Sequence, residues 1–167
     1  MKKVIFLDID GVLNSNFWND NHQREISDGT LIDESKIKLL GELIRNTSAE
    51  IILHSGWKYW FDSNLEPLCK EAENLRNMLN KEGILVGGVT PDHSTEEIRK
   101  SKKFSLVKAD EILDWLEQHI DVYKWIVIDD LNLHNEEVAI HQVKTDQSIG
   151  LTLEDVRKAE KMLQGEE

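Results

Sequence analysis

The sequence predicts an α/β fold with a mainly parallel sheet of about five strands. Short apolar runs of three or four residues recur along the chain. They are rich in β-branched residues and nearly continuous rather than alternating, which is typical of strands covered on both faces. Segments with helical apolar spacing separate these runs. This alternation favours parallel strands joined by right-handed crossovers.

The elements follow from these two patterns in chain order. Strands are predicted at residues 4–7, 51–53, 84–86, 125–128 and 138–140, and helical spacing covers residues 37–44, 68–79, 109–116 and 156–163. Gly83 follows the second helix as a stop signal. Thr152 and Asp155 form an N-cap pair that opens the last helix.

Length and composition limit the class of protein. The 167 residues fit a single domain spanning 1–167. No apolar run reaches membrane length and no secretory core follows the N-terminus, so we expect a soluble cytoplasmic protein without a membrane partner. A single cysteine, Cys69, excludes an internal disulfide. The formal charge of −12 disfavours broad binding to nucleic acid, since most of the surface repels phosphate.

Two segments lack a clear period. Residues 14–32 form a polar flap that contains Phe17 and Trp18. Residues 87–106 form a loop that ends in a basic run, which includes Arg99, Lys100, Lys102 and Lys103. Both follow the carboxyl end of a predicted strand, where ligands bind in such sheets. The ordinary interpretation of a charge run is a solvated surface, and here the alternative is a path for a substrate's phosphates.

The strongest motif is Asp8-Ile9-Asp10-Gly11, directly after the first predicted strand. Carboxylates this close repel each other unless a cation lies between them. The alternative is an Asp-Gly hairpin turn, but no alternating partner strand follows. Asp129 and Asp130 follow the strand at 125–128. Parallel neighbours bring their carboxyl ends together, so the four carboxylates would supply the oxygen ligands that Mg²⁺ prefers.

Two further segments carry phosphate-binding chemistry. Ser55 and Gly56 follow the strand at 51–53, and a serine hydroxyl beside a free backbone N–H suits a phosphoryl oxygen. Lys108 precedes the third helix, with Lys102 and Lys103 nearby as alternatives. Taken alone, these would be a turn serine and a surface lysine.

Together the four segments resemble the haloacid dehalogenase-like (HAD) superfamily over residues 4–163. The finer pattern is similar to a subgroup without a cap domain, the phosphatase-like domain linked to RNA repair proteins. The matching residues are Asp8-Ile9-Asp10-Gly11-Val12-Leu13-Asn14, Ser55-Gly56-Trp57, Lys108 before Glu111-Ile112 and Trp115-Leu116, and Asp129-Asp130. Lysine stands at 108 where the subgroup has arginine, while the superfamily uses lysine there.

The resemblance implies a Rossmann-like three-layer α/β/α sandwich and a Mg²⁺-dependent phosphatase. Asp8 would be the nucleophile that forms an aspartyl-phosphate, and Asp10 the general acid and base. Ser55, Gly56 and Lys108 would bind the phosphoryl oxygens. Mg²⁺ would be held by Asp8, the backbone carbonyl of Asp10 and the Asp129–Asp130 pair, of which either member is the direct ligand.

The spacing leaves room for a flap and a loop but not for a large cap domain. An open site accepts a phosphate on a bulky substrate such as a nucleic-acid end, with Trp18 stacking on a base. Two alternatives remain: a phosphatase of nucleotides or sugar phosphates, and a non-catalytic binding module. The sequence leaves the oligomeric state open.

Overall fold

A computed structural model describes residues 1–165 as a five-stranded sheet with helices on both faces. All strands are parallel, in the order β3-β2-β1-β4-β5. The strands are β1 Lys2–Leu7, β2 Glu50–Leu53, β3 Val86–Val89, β4 Val122–Asp129 and β5 Gln142–Lys144. The helices are α1 Asn16–Asn21, α2 Gln23–Ser27, α3 Glu34–Thr47, α4 Lys70–Lys81, α5 Glu96–Ser101, α6 Ser105–Glu117, α7 Glu136–Ala139 and α8 Leu153–Gln164, with a 3-10 helix at Gly56–Trp60.

Each side of the sheet has its own apolar core. Side chains alternate across a strand, so Ile5 and Leu7 of β1 pack with α3, α4 and α8, whereas Val4 and Phe6 pack with α6 and α7. Burial on both sides explains the nearly continuous apolar runs. The predicted Rossmann-like three-layer sandwich is therefore confirmed.

The helix signals in the sequence hold. Thr152 accepts from the backbone N–H of Asp155, and the Asp155 carboxylate accepts from the N–H of Thr152, so α8 opens with a capping box. Gly83 follows α4 in the left-handed region at φ +73°.

Two predicted strands are misplaced. The third begins at Val86 because Ile84 still donates its N–H to Leu79 at the end of α4. The run at 138–140 is not a strand. The Asn135 side chain accepts from the Val138 N–H and caps the start of the short helix α7. The fifth strand is instead β5, an edge strand in which Val143 alone is fully buried. Such a short strand leaves almost no apolar pattern in the sequence.

The two aperiodic segments contain short helices. The flap at 14–32 includes α1 and α2, and the loop at 87–106 begins in β3 and includes α5. No helix within residues 1–165 is long and apolar enough to span a membrane. The predicted single domain of 1–167 includes Glu166 and Glu167, which lie outside the described residues, and it remains a prediction.

Candidate active site

The ends of three neighbouring strands form the site. Asp8 follows β1, His54 follows β2, and Asp129 ends β4. The backbone N–H of Asp8 donates to Ile128 at 3.0 Å, and the N–H of His54 donates to Leu7 at 2.8 Å. The sheet therefore brings the predicted segments that contain Asp8, Ser55 and Asp129 to one edge.

Three carboxylates meet at this edge. One oxygen each from Asp8, Asp129 and Asp130 lies within 4.8 Å of the others. Asp8 and Asp129 are buried, and Asp130 is half-buried. Burial, reinforced by repulsion from Asp129 and Asp130, raises the pKa of Asp8 well above its usual value. Burial also raises the pKa of Asp130.

The donor set fits a hard divalent cation. Carboxylate oxygens at this spacing are the ligands that Mg²⁺ prefers, and a cation between them would offset the repulsion that raises the pKa of Asp8. Within residues 1–165 the Asp10 carboxylate is not a member of this close group. Asp10 is expected to bind the metal through its backbone carbonyl oxygen instead, and this stays a prediction.

Lys108 is the lysine that reaches the acids. Its Nζ lies 2.6 Å from Asp129 Oδ2 and 3.4 Å from Asp8 Oδ1, and 7% of its side chain is exposed. Burial lowers the pKa of Lys108, but attraction to Asp8 and Asp129 outweighs it and holds that pKa above its usual value. Lys102 and Lys103 are exposed. The role of Lys108 as the phosphate-binding lysine stays a prediction.

The Asp10 carboxylate is fixed by two donors. Its Oδ1 accepts from Asn14 Nδ2 at 2.9 Å, and its Oδ2 accepts from Trp57 Nε1 at 3.2 Å. Asn14 also accepts from the Gly11 N–H at 3.0 Å, so one side chain shapes the turn and orients the acid. Trp57 is itself buried in the core, so its ring packs there while its N–H holds Asp10.

Gly11 allows Asp130 to approach the turn after β1. Its φ is +82°, and a Cβ built there would lie 2.4 Å from Asp130 Oδ2. A side chain would therefore strain the turn and displace the acid. The Gly11 carbonyl accepts from Thr145 after β5, which ties a fourth strand end to the site.

Ser55 and Gly56 occupy the end of β2. Ser55 is buried, and its Oγ accepts from the Trp57 N–H at 3.2 Å as the cap of the 3-10 helix. Gly56 is exposed. Their phosphate-binding roles stay predictions.

The flap places its aromatic residues differently from the expectation. Trp18 is largely buried and stacks on His22, with 4.6 Å between ring centroids. Its role as a substrate contact stays a prediction. Phe17 is the exposed aromatic residue of the flap, at 73%.

Sequence reasoning missed a buried ion pair beside the site. Lys58 Nζ lies 3.2 Å from Glu111 Oε2, with 7% and 5% of the two side chains exposed. Lys58 also donates to Thr90 and Pro91 after β3. The available signal was the helical spacing of Lys108 and Glu111, which places both on one face of α6.

A family model described as "HAD domain in Swiss Army Knife RNA repair proteins" matches residues 4–156. This range includes the strand-end acids and Lys108. No curated protein and no solved structure matches the chain significantly. By its family match the chain belongs to the HAD domains of this family, within the HAD superfamily of hydrolases.

Proposed function

We propose that this protein is a Mg²⁺-dependent phosphatase that hydrolyses a phosphomonoester through an aspartyl-phosphate. The observation that carries the proposal is the buried lysine between two strand-end acids, Lys108 between Asp8 and Asp129. Phosphoryl transfer requires a nucleophile beside fixed positive charge, and these residues supply both.

Asp8 is the proposed nucleophile. A carboxylate oxygen of Asp8 would attack phosphorus in line, forming an O–P bond as the ester O–P bond breaks. Lys108 and Ser55 would bind phosphoryl oxygens during this step. The Lys108 ammonium is held by its acid partners, so its charge needs no reorganisation during the reaction.

Asp10 is the proposed general acid and base. It would give a proton to the leaving oxygen, and then take one from the water that attacks phosphorus and frees Asp8. Asn14 and Trp57 orient its carboxylate. Fixed orientation matters because proton transfer requires hydrogen-bond reach to the leaving oxygen.

Asp8, the Asp10 carbonyl and the Asp129–Asp130 pair would hold the metal. Bound Mg²⁺ would offset the repulsion between the Asp8 carboxylate and the anionic phosphate. Asp129 already accepts from Lys108 and from the Leu131 N–H, at 2.6 and 2.9 Å. This favours the half-buried Asp130 as the direct ligand of the pair.

The proposed substrate is a phosphate on a nucleic-acid end. The family's description names RNA repair proteins, and two exposed aromatic residues follow Gly56: Tyr59 and Trp60. The Trp60 ring centroid lies 4.8 Å from that of Trp57, which holds Asp10, so a base beside the reacting phosphate would be near Trp60. Every base has a flat face that can stack on an aromatic ring, so such a contact would accept nucleic-acid ends of any base sequence.

The basic run contributes less charge than its sequence indicates. Arg99 pairs with Asp92 at 2.9 Å, and Lys100 pairs with Glu96 at 3.3 Å. Lys102 and Lys103 are exposed at the end of α5. The run therefore supports contact with a few phosphates near the site rather than with a long duplex.

The test is phosphate release from p-nitrophenyl phosphate and from a phosphorylated RNA oligonucleotide, each with Mg²⁺ and with chelator. We expect Mg²⁺-dependent turnover that Asp8→Asn abolishes, while Asp28→Asn, at an exposed acid in the flap, has no effect. Faster turnover of a free mononucleotide than of the oligonucleotide would favour the small-molecule alternative. No turnover of any substrate by the folded wild type would contradict the proposal.

A further inference from the structure

One buried ammonium group joins three segments that converge at the site. Lys58 lies in the 3-10 helix after β2, and its Nζ contacts Glu111 of α6 at 3.2 Å. The same nitrogen donates to the Pro91 carbonyl at 2.9 Å and to Thr90 Oγ1 at 3.3 Å. Lys58 thus links the loop after β2, the loop after β3 and α6.

Its partners extend these links. Glu111 Oε2 also accepts from the His93 N–H at 2.9 Å, so the carboxylate fixes the loop after β3 as well as Lys58. Thr90 Oγ1 lies 3.0 Å from Nδ1 of His54, the residue before Ser55. The whole set is buried apart from the loop residues Pro91 and His93.

Lys108 and Glu111 are three residues apart on α6 and face the same side. One turn of helix therefore carries two buried charges: Lys108 reaches toward Asp8, and Glu111 reaches toward Lys58. Any shift of α6 that breaks the second contact would also move the Lys108 ammonium. A displacement of about 1 Å is enough to cost about 100-fold in rate.

We infer that Lys58 and Glu111 are positioning residues: their ion pair holds α6, and with it Lys108, in register with the Ser55 loop. This inference rests on the proposed function for its kinetic consequence. The pair touches no reacting atom, so it acts through Lys108 and Ser55. Because those groups would bind charge that develops in the transition state, loss of the pair should lower kcat more than it raises KM.

The test separates positioning from stability. Removing one partner leaves a buried charge without compensation, so a single variant is at risk of unfolding. The double variant Lys58→Met/Glu111→Leu removes both charges and keeps the volume apolar, a change that is often tolerated. Lys81→Met/Glu34→Leu is the matched control, since it removes an exposed Lys–Glu pair between α4 and α3.

We expect the Lys58–Glu111 double variant to keep its cooperative unfolding transition and to lose kcat on p-nitrophenyl phosphate by about 10- to 100-fold. Lys58→Arg alone keeps the positive charge beside Glu111, so its kcat should lie between that of the double variant and that of the wild type. Hydrogen exchange should show faster exchange in α6 for the double variant and no change for the control. Wild-type kcat together with wild-type exchange in α6 would overturn the inference.

The exchange measurement does not depend on turnover. A wild type that hydrolyses no phosphomonoester would contradict the proposed function. Faster exchange in α6 of the double variant would still support the positioning role, and unchanged exchange would still refute it.

Discussion

The ammonium nitrogen of Lys108 lies 2.6 Å from Oδ2 of Asp129, with both side chains almost fully buried. This contact joins α6 to the end of β4. Because Asp8 lies on the other side of the same nitrogen, Lys108 compensates two carboxylates at once. Its removal should therefore affect folding as well as catalysis.

Lys108→Met leaves Asp8 and Asp129 without their buried counter-charge. Breaking a buried pair typically costs about 3–5 kcal/mol, and we expect a loss of that order in the free energy of unfolding from urea titration in the presence of chelator. Lys103→Met, at an exposed lysine, should change it by less than about 0.5 kcal/mol. Equal losses for the two variants would show that Lys108 is not a structural counter-charge.

Gly11→Ala should weaken Mg²⁺ binding. The new Cβ would lie 2.4 Å from Asp130 Oδ2, so the acid must move away from its neighbours. Disturbing a group that orients a metal ligand commonly costs about 10- to 100-fold in affinity, and titration calorimetry measures it. Gly83→Ala is the control: it also has a positive φ, of +73°, but has open space around its Cβ. If both variants bind Mg²⁺ like the wild type, Asp130 is not a ligand.

His54 should make stability depend on pH below its unfolded pKa. Burial, with repulsion from Lys108 and Lys58, lowers the pKa of His54 well below 6.5 in the folded state. As the pH falls, His54 therefore binds its proton in the unfolded chain before it does so in the folded protein. The contribution of neutral His54 to the free energy of unfolding is complete above pH 6.5 and is lost progressively below it.

The measurement is the free energy of unfolding as a function of pH for the wild type and for His54→Gln. Relative to the variant, the wild type should lose up to about 1.4 kcal/mol per pH unit below pH 6.5. His134→Gln, at an exposed histidine, should follow the wild-type slope. Parallel curves for the wild type and His54→Gln would mean that His54 titrates normally in the folded protein.

Trp60→Leu should weaken the use of an oligonucleotide without affecting a substrate that lacks a base. Leucine keeps an apolar contact for Trp57 but removes the flat ring. Loss of one base stack costs about 1–3 kcal/mol, so KM for a phosphorylated RNA oligonucleotide should rise about 5- to 150-fold. KM for p-nitrophenyl phosphate should not change.

Tyr123→Leu provides the matched control, because Tyr123 is similarly exposed near the start of β4, at the opposite edge of the sheet. It should leave both KM values at the wild-type level. An unchanged oligonucleotide KM for Trp60→Leu would refute base stacking at this position.

Much of the site could be predicted because its residues directly follow buried strands. Asp8, Ser55 and Asp129 come next to apolar runs, and a parallel sheet brings such positions together without further information. Lys108 was predictable as a lysine near the start of a helix. That Lys108, rather than Lys102 or Lys103, contacts Asp8 and Asp129 could be seen only in the structure, because it depends on where α6 begins.

The remaining contacts depend on tertiary packing. Lys58 and Glu111 are 53 residues apart, and the spacing of Glu111 from Lys108 places it on an inward face of α6 without identifying Lys58 as its partner. The Trp57–Asp10 hydrogen bond joins two motifs through an indole that apolar patterning assigns to the core. The prediction of a strand at 138–140 was wrong for a local reason. Three apolar residues suit a strand, but the Asn135 cap and the two glutamates that follow it favour a helix.

The most direct test of an aspartyl-phosphate on Asp8 is to locate the phosphoryl group during turnover. A folded, Mg²⁺-loaded sample reacting with a labelled phosphomonoester is quenched in acid, digested and mapped by mass spectrometry. We expect phosphate on the peptide that carries Asp8, with a larger fraction trapped in Asp10→Asn, where water activation is lost. Turnover without label on Asp8, or label on another residue, would contradict Asp8 as the nucleophile.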